Sequence, residues 1–207
     1  AASDVYKRQV LVSARGNACR FMPAEEKSRT DPNSGDIVTT RVVRVQGRVS
    51  QGVSGMKLQK DDRVIGMIVT DDFDTSVLTI SKFGMAKRSR LGSGEMVPLL
   101  DEDGAQMLDD EGEGVSHRDG YRRTNRGTKG VRTMSLRDDD HIVSVRQIPD
   151  LDDQLFILTK TGMMIRMTSG QTKETLGKVT KGTRIMELRN RARTGYDDEI
   201  IFVARLP

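Results

Sequence analysis

The chain has 207 residues, of which 35% are hydrophobic, 4% aromatic and 31% charged, and its formal net charge is +4. This length can bury a core as one domain or as a short array of repeats. No apolar stretch approaches membrane-spanning length, no signal peptide is evident, and the single Cys19 excludes an internal disulfide. We therefore expect a protein of a reducing compartment with no membrane partner.

Charge is distributed unevenly along the chain. Residues 92–119 contain nine acids and one base, Arg118, a net charge of −8 that leaves +12 for the rest of the chain. A basic body with an acidic segment favours a polyanionic partner. The acidic segment, at about 92–119, is rich in glycine, and we expect it to be disordered.

The first nine residues have the character of a foreign segment. SDVYKRQ at 3–9 back-translates to the transposon end sequence used in some sequencing-library adapters. We interpret residues 1–9 as a non-native, adapter-derived segment and leave them out of the fold prediction. On this interpretation the native protein extends upstream of Val10.

From Val10 onward, a hairpin phrase recurs three times. Each copy has an apolar strand, a polar turn with glycine, and a strand that carries Lys or Arg. The copies read VLVSARGNACRF at 10–21, LTISKFGMAKRS at 78–89 and FILTKTGMMIRM at 156–167. Internal repeats of this kind predict an array of supersecondary units that bury their apolar faces against one another.

A second phrase follows each hairpin and combines a glycine-rich basic turn with an alternating run. Its copies read GRVSQGVSGMKL at 47–58, NRGTKGVRTMSL at 125–136 and GKVTKGTRIMEL at 177–188, and DDRVIGMIV at 61–69 and DDHIVSVRQI at 139–148 follow the first two. One unit thus contains about four short strands, which is typical of a propeller blade. The predicted blades span about 10–70, 75–148 and 152–207, and residues 23–40 are predicted to form a longer loop.

No catalytic or cofactor-binding constellation is evident. The two histidines, His117 and His141, lie beside acidic residues and are interpreted as solvated surface. The chain has no CxxC, HExxH or phosphate-loop motif, and its glycine-rich stretches lack the strand–loop–helix context of a phosphate cradle. We expect no cofactor, no metal and no catalytic residue in this chain.

Basic residues recur at fixed positions of the repeats. Equivalent residues of stacked repeats project in equivalent directions, so these side chains are predicted to form a stripe around a rim, as phosphate-directed binding of duplex DNA requires. The alternative is that they only keep the turns soluble. The candidate DNA-binding residues are Arg48, Lys57, Lys87, Arg88, Arg90, Arg122, Arg123, Arg126, Lys129, Arg132, Arg166, Lys178, Lys181 and Arg184.

The repeated phrases resemble the C-terminal domain of the DNA gyrase A subunit, a β-pinwheel, and the related domain of the topoisomerase IV A subunit. The family pattern G-R-x-T-Q-G-V-x-x-x-x-L, followed by an acidic turn and a V-V-x-V strand, is similar to residues 47–69. Its hairpin pattern L-x-x-T-x-x-G-x-x-x-R-T is similar to residues 78–89 and 155–168. The resemblance extends over nearly all of residues 10–207.

This resemblance implies an all-β pinwheel in which about three blades of an expected six are present, a partial propeller. It further implies that duplex DNA, without sequence preference, bends around a basic outer rim. The chain would then belong to an ATP-dependent bacterial type IIA topoisomerase of the cytoplasm and nucleoid, and its partners would be the B subunit together with the rest of the A subunit. The family's catalytic tyrosine follows an arginine and lies upstream, and Tyr6, Tyr121 and Tyr196 do not match it.

Two departures from the family pattern leave alternatives open. No segment matches the Q-R-R-G-G-[KR]-G box of gyrase, and the nearest, YRRTNRGTKG at 121–130, resembles an ordinary blade turn. The choice between gyrase and topoisomerase IV, the total number of blades and the sense of wrapping therefore stay open. A different class, a propeller whose basic rim docks an acidic partner protein, would require an exposed apolar or aromatic patch.

Overall fold

The described part of the chain consists almost entirely of β-strands. The computed structural model describes residues 8–206, except for residues 24, 176–179 and 189–196. Within these ranges the helical structure is limited to one short 3-10 turn, Ser169–Gln171. None of the described residues forms a helix long and apolar enough to cross a membrane. The predicted all-β class is confirmed.

Short strands follow the repeated phrases in order along the chain. Each hairpin phrase supplies two strands, each glycine-rich phrase of the second and third repeats supplies one very short strand, and each repeat ends in a longer strand. The strands are β1 (Arg8–Ser13), β2 (Asn17–Phe21), β3 (Glu26–Thr30), β4 (Ile37–Arg41), β5 (Val64–Thr70), β6 (Ser76–Ser81), β7 (Met85–Arg90), β8 (Met96–Pro98), β9 (Ser116–Arg118), β10 (Val131–Arg132), β11 (Ile142–Ile148), β12 (Gln154–Thr159), β13 (Met164–Thr168), β14 (Thr183–Arg184) and β15 (Ile200–Leu206).

Three sheets correspond to the three repeats and form three blades. The first has the spatial order β10-β2-β1-β5, the second β11-β6-β7-β14 and the third β13-β12-β15. Every pairing within these sheets is antiparallel. The predicted three-blade partial propeller is therefore present.

The blades exchange strands. The blades predicted from sequence were contiguous stretches of chain and did not include such an exchange. The second repeat contributes β10 to the first blade, where Val131 lies opposite Ala18 of β2. The third repeat contributes β14 to the second blade, where Thr183 lies opposite Ala86 of β7. The glycine-rich phrase of one repeat thus completes the blade of the preceding repeat and joins successive blades by backbone hydrogen bonds.

Each hairpin turns through a glycine in the left-handed region. Gly16 has a φ of 78°, and its amide donates to the carbonyl of Ser13 at 3.0 Å. The Ser13 Oγ accepts from the amide of Asn17 at 3.3 Å. The other two hairpins repeat both bonds with their own glycine and hydroxyl residue. Glycine adopts this conformation without the steric penalty of a Cβ atom, so the sequence fixes the three turns locally.

The hydrophobic cores lie between blades. Strand β6 shows the arrangement, because Val77 packs into the core shared with the first blade and Leu78 packs into the core shared with the third. Successive side chains of a strand point to opposite faces, and here both faces are covered. The first core includes Val10, Val12, Leu91, Met134, Ile142 and Val145, and the second includes Ile80, Leu155, Ile157, Ile200 and Val203.

The acidic segment is ordered, so the prediction of disorder is wrong. Its ends pair as β8 and β9, and its tip, residues 99–115, folds into two successive tight turns. In the first turn the Asp101 carboxylate accepts from the amides of Asp103 and Ala105 at 3.0 and 2.8 Å. The second turn repeats these bonds around Asp109. These carboxylates satisfy backbone donors, as Asp does in turns, and so order the segment despite its charge.

Residues 23–40, predicted as a longer loop, also contain regular structure. Strands β3 and β4 pair in register from Glu26 opposite Arg41 to Thr30 opposite Ile37. The Asp31 side chain accepts from the amide of Asn33 in the connecting turn. This segment is a hairpin attached beside the first blade.

Candidate nucleic-acid interface

Equivalent cations lie on the edge strands of two successive blades. Arg132 and Arg184 are the second residues of β10 and β14, and both side chains are exposed. Lys129 and Lys181, also exposed, lie just before these strands. Because the repeats place the two pairs at equivalent positions, each edge presents one lysine and one arginine to solvent. We call these four residues the edge cations.

A basic cleft lies beside the first of these edges. An adjoining cleft shares Arg122 and adds Arg123 to the basic surface. The fork of donors on each arginine suits bidentate contact with phosphate oxygens. The cations that line the first cleft are Lys87, Arg90, Arg118, Arg122 and Arg132.

Carboxylates partly neutralise this surface. The Arg90 guanidinium lies 2.5 Å from Asp74 and 3.7 Å from Asp119, and Arg123 lies 3.5 Å from Glu25. The hydrogen bond from the Ser93 amide is the largest cause of a lowered pKa at Asp119, which therefore remains charged at neutral pH. Exposed ion pairs of this kind are worth little to stability and exchange readily with other anions.

Lys87 and Arg88 were predicted to contact DNA, and their positions correct that prediction. They are only 2% and 8% exposed. Lys87 Nζ donates to the carbonyl of Thr133 at 2.7 Å, and burial lowers its pKa to about 8. Arg88 donates to the carbonyl of Thr172 at 2.9 Å and pairs with Glu174. Both side chains cross from the second blade to neighbouring segments and hold those segments in place.

Arg126 is also held by hydrogen bonds to the backbone of other segments. Its guanidinium donates to the carbonyls of Val42 and Ser54, and the side chain is only partly exposed. It therefore connects the glycine-rich phrase of the second repeat to that of the first. A cation fixed in this way is a poorer candidate for phosphate contact than the edge cations.

The other predicted residues lie near the two ends of the array. Arg48 and Lys57 are exposed in the glycine-rich phrase of the first repeat, which forms no strand. Arg166 on β13 lies over the Phe156 ring, 5.6 Å from its centroid, and donates to Gln154 Oε1 at 3.1 Å. Lys178 lies outside the described residues.

Sequence reasoning missed Arg118 as a member of the basic cleft. It was counted only as the single base of an acidic segment, yet β9 carries it to the cleft, where it donates to the Gly94 carbonyl at 2.7 Å. The available signal was its position at the end of that segment, immediately before Asp119 and Gly120.

Two features of the described residues bear on metal binding and on nucleophilic chemistry. Among these residues no group of three or more His, Cys, Asp or Glu side chains could hold a metal ion. Tyr121 is buried, its hydroxyl is hydrogen-bonded to Thr133, and burial raises its pKa to about 12. A buried phenol with a raised pKa is a poor nucleophile and here serves the core.

A family model described as the DNA gyrase C-terminal domain, β-propeller, matches most of the chain. The matched residues are 38–71, 75–93, 117–149 and 153–207. The gap at 94–116 coincides with the ordered acidic segment. The family pattern therefore covers the blades apart from the first hairpin, β1 and β2, and omits the insertion.

Curated relatives agree with this family. The DNA gyrase A subunit of Mycolicibacterium smegmatis is 28% identical over 196 residues, covering 95% of this chain and 17% of that protein. The DNA gyrase A subunit of Campylobacter jejuni is 28% identical over 166 residues, covering 80% and 15%. The chain thus spans about a sixth of the length of the curated relatives it matches.

A solved structure shares the architecture. The crystal structure of the C-terminal domain of DNA topoisomerase IV superposes with a TM-score of 0.64 at 16% identity and covers 97% of this chain and 46% of that chain. This likeness shows the fold, whereas the family model matches the sequence of the repeats. The chain belongs to the DNA gyrase C-terminal domain family of β-propellers.

Proposed function

We propose that this chain binds duplex DNA through its phosphates, along the basic edges of its blades. The observation that carries the proposal is the recurrence of one exposed Lys–Arg pair on two successive edges, Lys129 with Arg132 and Lys181 with Arg184. Repetition at the spacing of the blades suits a ligand whose charge also repeats along its length. The basic cleft at Arg118 and Arg122 extends the surface beside the first edge.

The proposed mechanism is electrostatic and mechanical. Each cation that neutralises a phosphate releases a condensed counterion, which favours binding at low salt and carries no sequence information. Bending a short duplex costs on the order of 1–6 kcal/mol, and many phosphate contacts along a curved surface can offset that amount. The chain would therefore act as a surface on which DNA is bent rather than as a catalyst.

We infer a place for this surface in a larger enzyme from the family. The chain would be the DNA-wrapping domain of a bacterial type IIA topoisomerase, within its A subunit, in the cytoplasm and beside the nucleoid. There it would present DNA to a cleavage gate built by the rest of the A subunit, together with the B subunit. Catalysis would reside in those other parts.

The test compares double variants that each remove one lysine and one arginine. The edge variants are Lys129→Ala with Arg132→Ala, and Lys181→Ala with Arg184→Ala, and the matched control is Lys60→Ala with Arg63→Ala. Affinity for duplexes of unrelated sequence is measured over a salt series. Each edge variant should reduce the slope of log affinity against log salt by about 2, and the two together by roughly 3–4. The control should change the slope less.

Two outcomes would contradict the proposal. An unchanged slope in both edge variants together with a changed slope in the control would place the DNA path elsewhere. Failure of the parent chain to bind any duplex at low salt would reject DNA binding and favour protein docking. Folding should be unaffected in all variants, because exposed substitutions usually change stability by no more than about 0.5 kcal/mol.

A further inference from the structure

The interface between the first and second blades is polar where the next interface is apolar. Lys87 and Ser89 of β7 lie three and five residues after the turn glycine of their hairpin. The equivalent residues of the third hairpin, Ile165 and Met167, pack against the core that the second and third blades share. The second hairpin therefore departs from the packing pattern of the repeat.

The strand that faces β7 departs in the same way. Thr133, directly after β10, accepts the hydrogen bond of the Lys87 ammonium, whereas its equivalent after β14, Ile185, packs against the same core as Ile165. Burying a charged group costs free energy, and the lowered pKa of Lys87, about 8, reflects that cost. The chain's own next interface shows that isoleucines suffice for packing here. A departure of this kind from the local packing rule is expected at functional sites.

These polar residues lie at the base of the basic cleft beside β10. The cavity there has a volume of about 30 Å³. One water needs at least about 10–15 Å³, so the cavity has room for about two water-sized groups, such as two oxygens of a phosphate. It is too small for a base or a sugar. The described residues that line it include five cations and no carboxylate.

The five cations differ in how firmly they are held. Arg90 is paired with carboxylates, and Arg118 donates to a backbone carbonyl. Arg122 and Arg132 are exposed, and no described residue forms an ion pair with either. These two side chains can therefore turn onto an anion at the mouth of the cleft, with the charge of Lys87 beneath it.

We propose that this cleft is a phosphate-binding site, in which Arg122 and Arg132 hold one phosphate group above the Lys87 ammonium. The fork of donors on each arginine suits bidentate contact with phosphate oxygens. Lys87 keeps its hydrogen bond to Thr133 and acts on the ligand through its charge. A phosphate of a DNA backbone and a free phosphate ion offer the same oxygens. Only the DNA source rests on the proposed function.

The first experiment titrates inorganic phosphate into the 207-residue chain without DNA, followed by nuclear magnetic resonance. Chloride is exchanged for phosphate at constant ionic strength, which keeps general screening unchanged. Saturable binding of one phosphate per chain should shift the amide signals of β7, β10 and residues 118–122. Shifts that do not saturate, or that spread evenly over all exposed cations, would overturn the proposal.

Matched arginine pairs test which cations hold the ion. Arg122→Gln with Arg132→Gln should weaken phosphate binding by about tenfold or more, because hydrogen bonds to a charged group contribute at least that much. The control, Arg123→Gln with Arg184→Gln, removes the same charge outside the cleft. Arg184 holds the repeat position of Arg132 but lies beside the isoleucine interface. Equal losses in the two pairs would contradict the proposal.

The base of the cleft is tested by Lys87→Ile, which introduces the residue type of the third hairpin. The variant should fold, as checked by circular dichroism, because the next interface is built with isoleucine at this position. It should bind phosphate much more weakly than the parent chain. Unchanged phosphate affinity would overturn the role of the buried charge. If the variant does not fold, the exposed arginine pairs decide the question alone.

A final titration distinguishes the two sources of the phosphate group. Inorganic phosphate is added to the chain saturated with duplex DNA at low salt. Loss of phosphate binding assigns the cleft to a phosphate of the DNA backbone, and unchanged binding assigns it to a free phosphate ion. The site itself is measured without DNA, and the proposed function is measured by the salt series on duplexes. Failure of one therefore leaves the other standing.

Discussion

One repeated arginine position should contribute very unequally to stability in the three blades. Arg20, Arg88 and Arg166 each lie four residues after the turn glycine of their hairpin. Arg20 is 1% exposed, Arg88 is nearly buried and Arg166 is exposed. Replacement by methionine keeps an unbranched apolar stem and removes the guanidinium. The loss of stability should follow the order of burial, largest for Arg20→Met and smallest for Arg166→Met.

The contacts of Arg20 set the largest expected loss. Its guanidinium donates to three carbonyl oxygens of the second repeat, those of Leu91 at 2.9 Å, Tyr121 at 2.7 Å and Gly92 at 2.7 Å. Without the guanidinium, each of these buried carbonyl oxygens loses its donor, which costs about 1–3 kcal/mol of folding stability per oxygen. Removal of a desolvated cation offsets part of this penalty. We therefore expect Arg20→Met to lower the free energy of unfolding by about 3–5 kcal/mol.

The equivalent arginines leave fewer buried acceptors without a donor. Arg88 donates to one buried carbonyl, that of Thr172, to the buried Ser76 hydroxyl, and to the Glu174 carboxylate, which is partly exposed and can be solvated. Its replacement should reduce stability by about 1–3 kcal/mol. Arg166 has a single exposed hydrogen bond to Gln154, so its replacement should change stability by no more than about 0.5 kcal/mol.

The assay is urea unfolding followed by far-ultraviolet circular dichroism, with protein dilute enough to be monomeric. If the slope of the unfolding free energy against urea concentration is the same in all variants, the unfolding reaction is unaltered and the midpoints can be compared. Arg20→Lys serves as a further control, because it keeps the charge but not the fork that reaches three carbonyls. Equal losses in the three methionine variants, or a larger loss for Arg166 than for Arg20, would refute the reasoning.

Two further predictions concern the charged groups beside the cleft. The buried Lys87 has a pKa of about 8 in the folded chain against 10.5 when free, so the unfolded chain binds its proton more tightly and stability should rise with pH between about 8 and about 10. Unfolding free energies measured over this range should rise by up to about 1.4 kcal/mol per pH unit more in the parent chain than in Lys87→Met, and parallel curves would contradict the assignment. Replacing residues 99–115 by an Asn-Gly turn removes seven carboxylates from beside the basic cleft. DNA affinity should then increase at low salt and converge with the parent at high salt, whereas unchanged affinity at all salt concentrations would eliminate competition by the acidic segment.

The sequence alone determined the repeating unit and its hairpins. Gly16 and its two equivalents recur with a hydroxyl residue three positions earlier, and this local pattern forms the same turn in each blade. Alternating apolar residues then predicted the strands, because side chains on a strand alternate between faces. The edge cations at Arg132 and Arg184 were also found in this way, since equivalent repeat positions present equivalent surfaces. Whether they bind DNA stays a prediction.

Only the tertiary structure decided which repeated cations reach solvent. Lys87 and Arg88 lie in the same hairpin phrase as residues that are exposed, yet segments of the second and third repeats pack over them and supply carbonyl partners at Thr133 and Thr172. The pairing of the Arg20 guanidinium depends on the carbonyls of Leu91 and Tyr121, which lie 71 and 101 residues away in sequence. A turn is fixed by residues that are adjacent in sequence, whereas burial and the pairing of a charge depend on segments that meet only after the blades have packed.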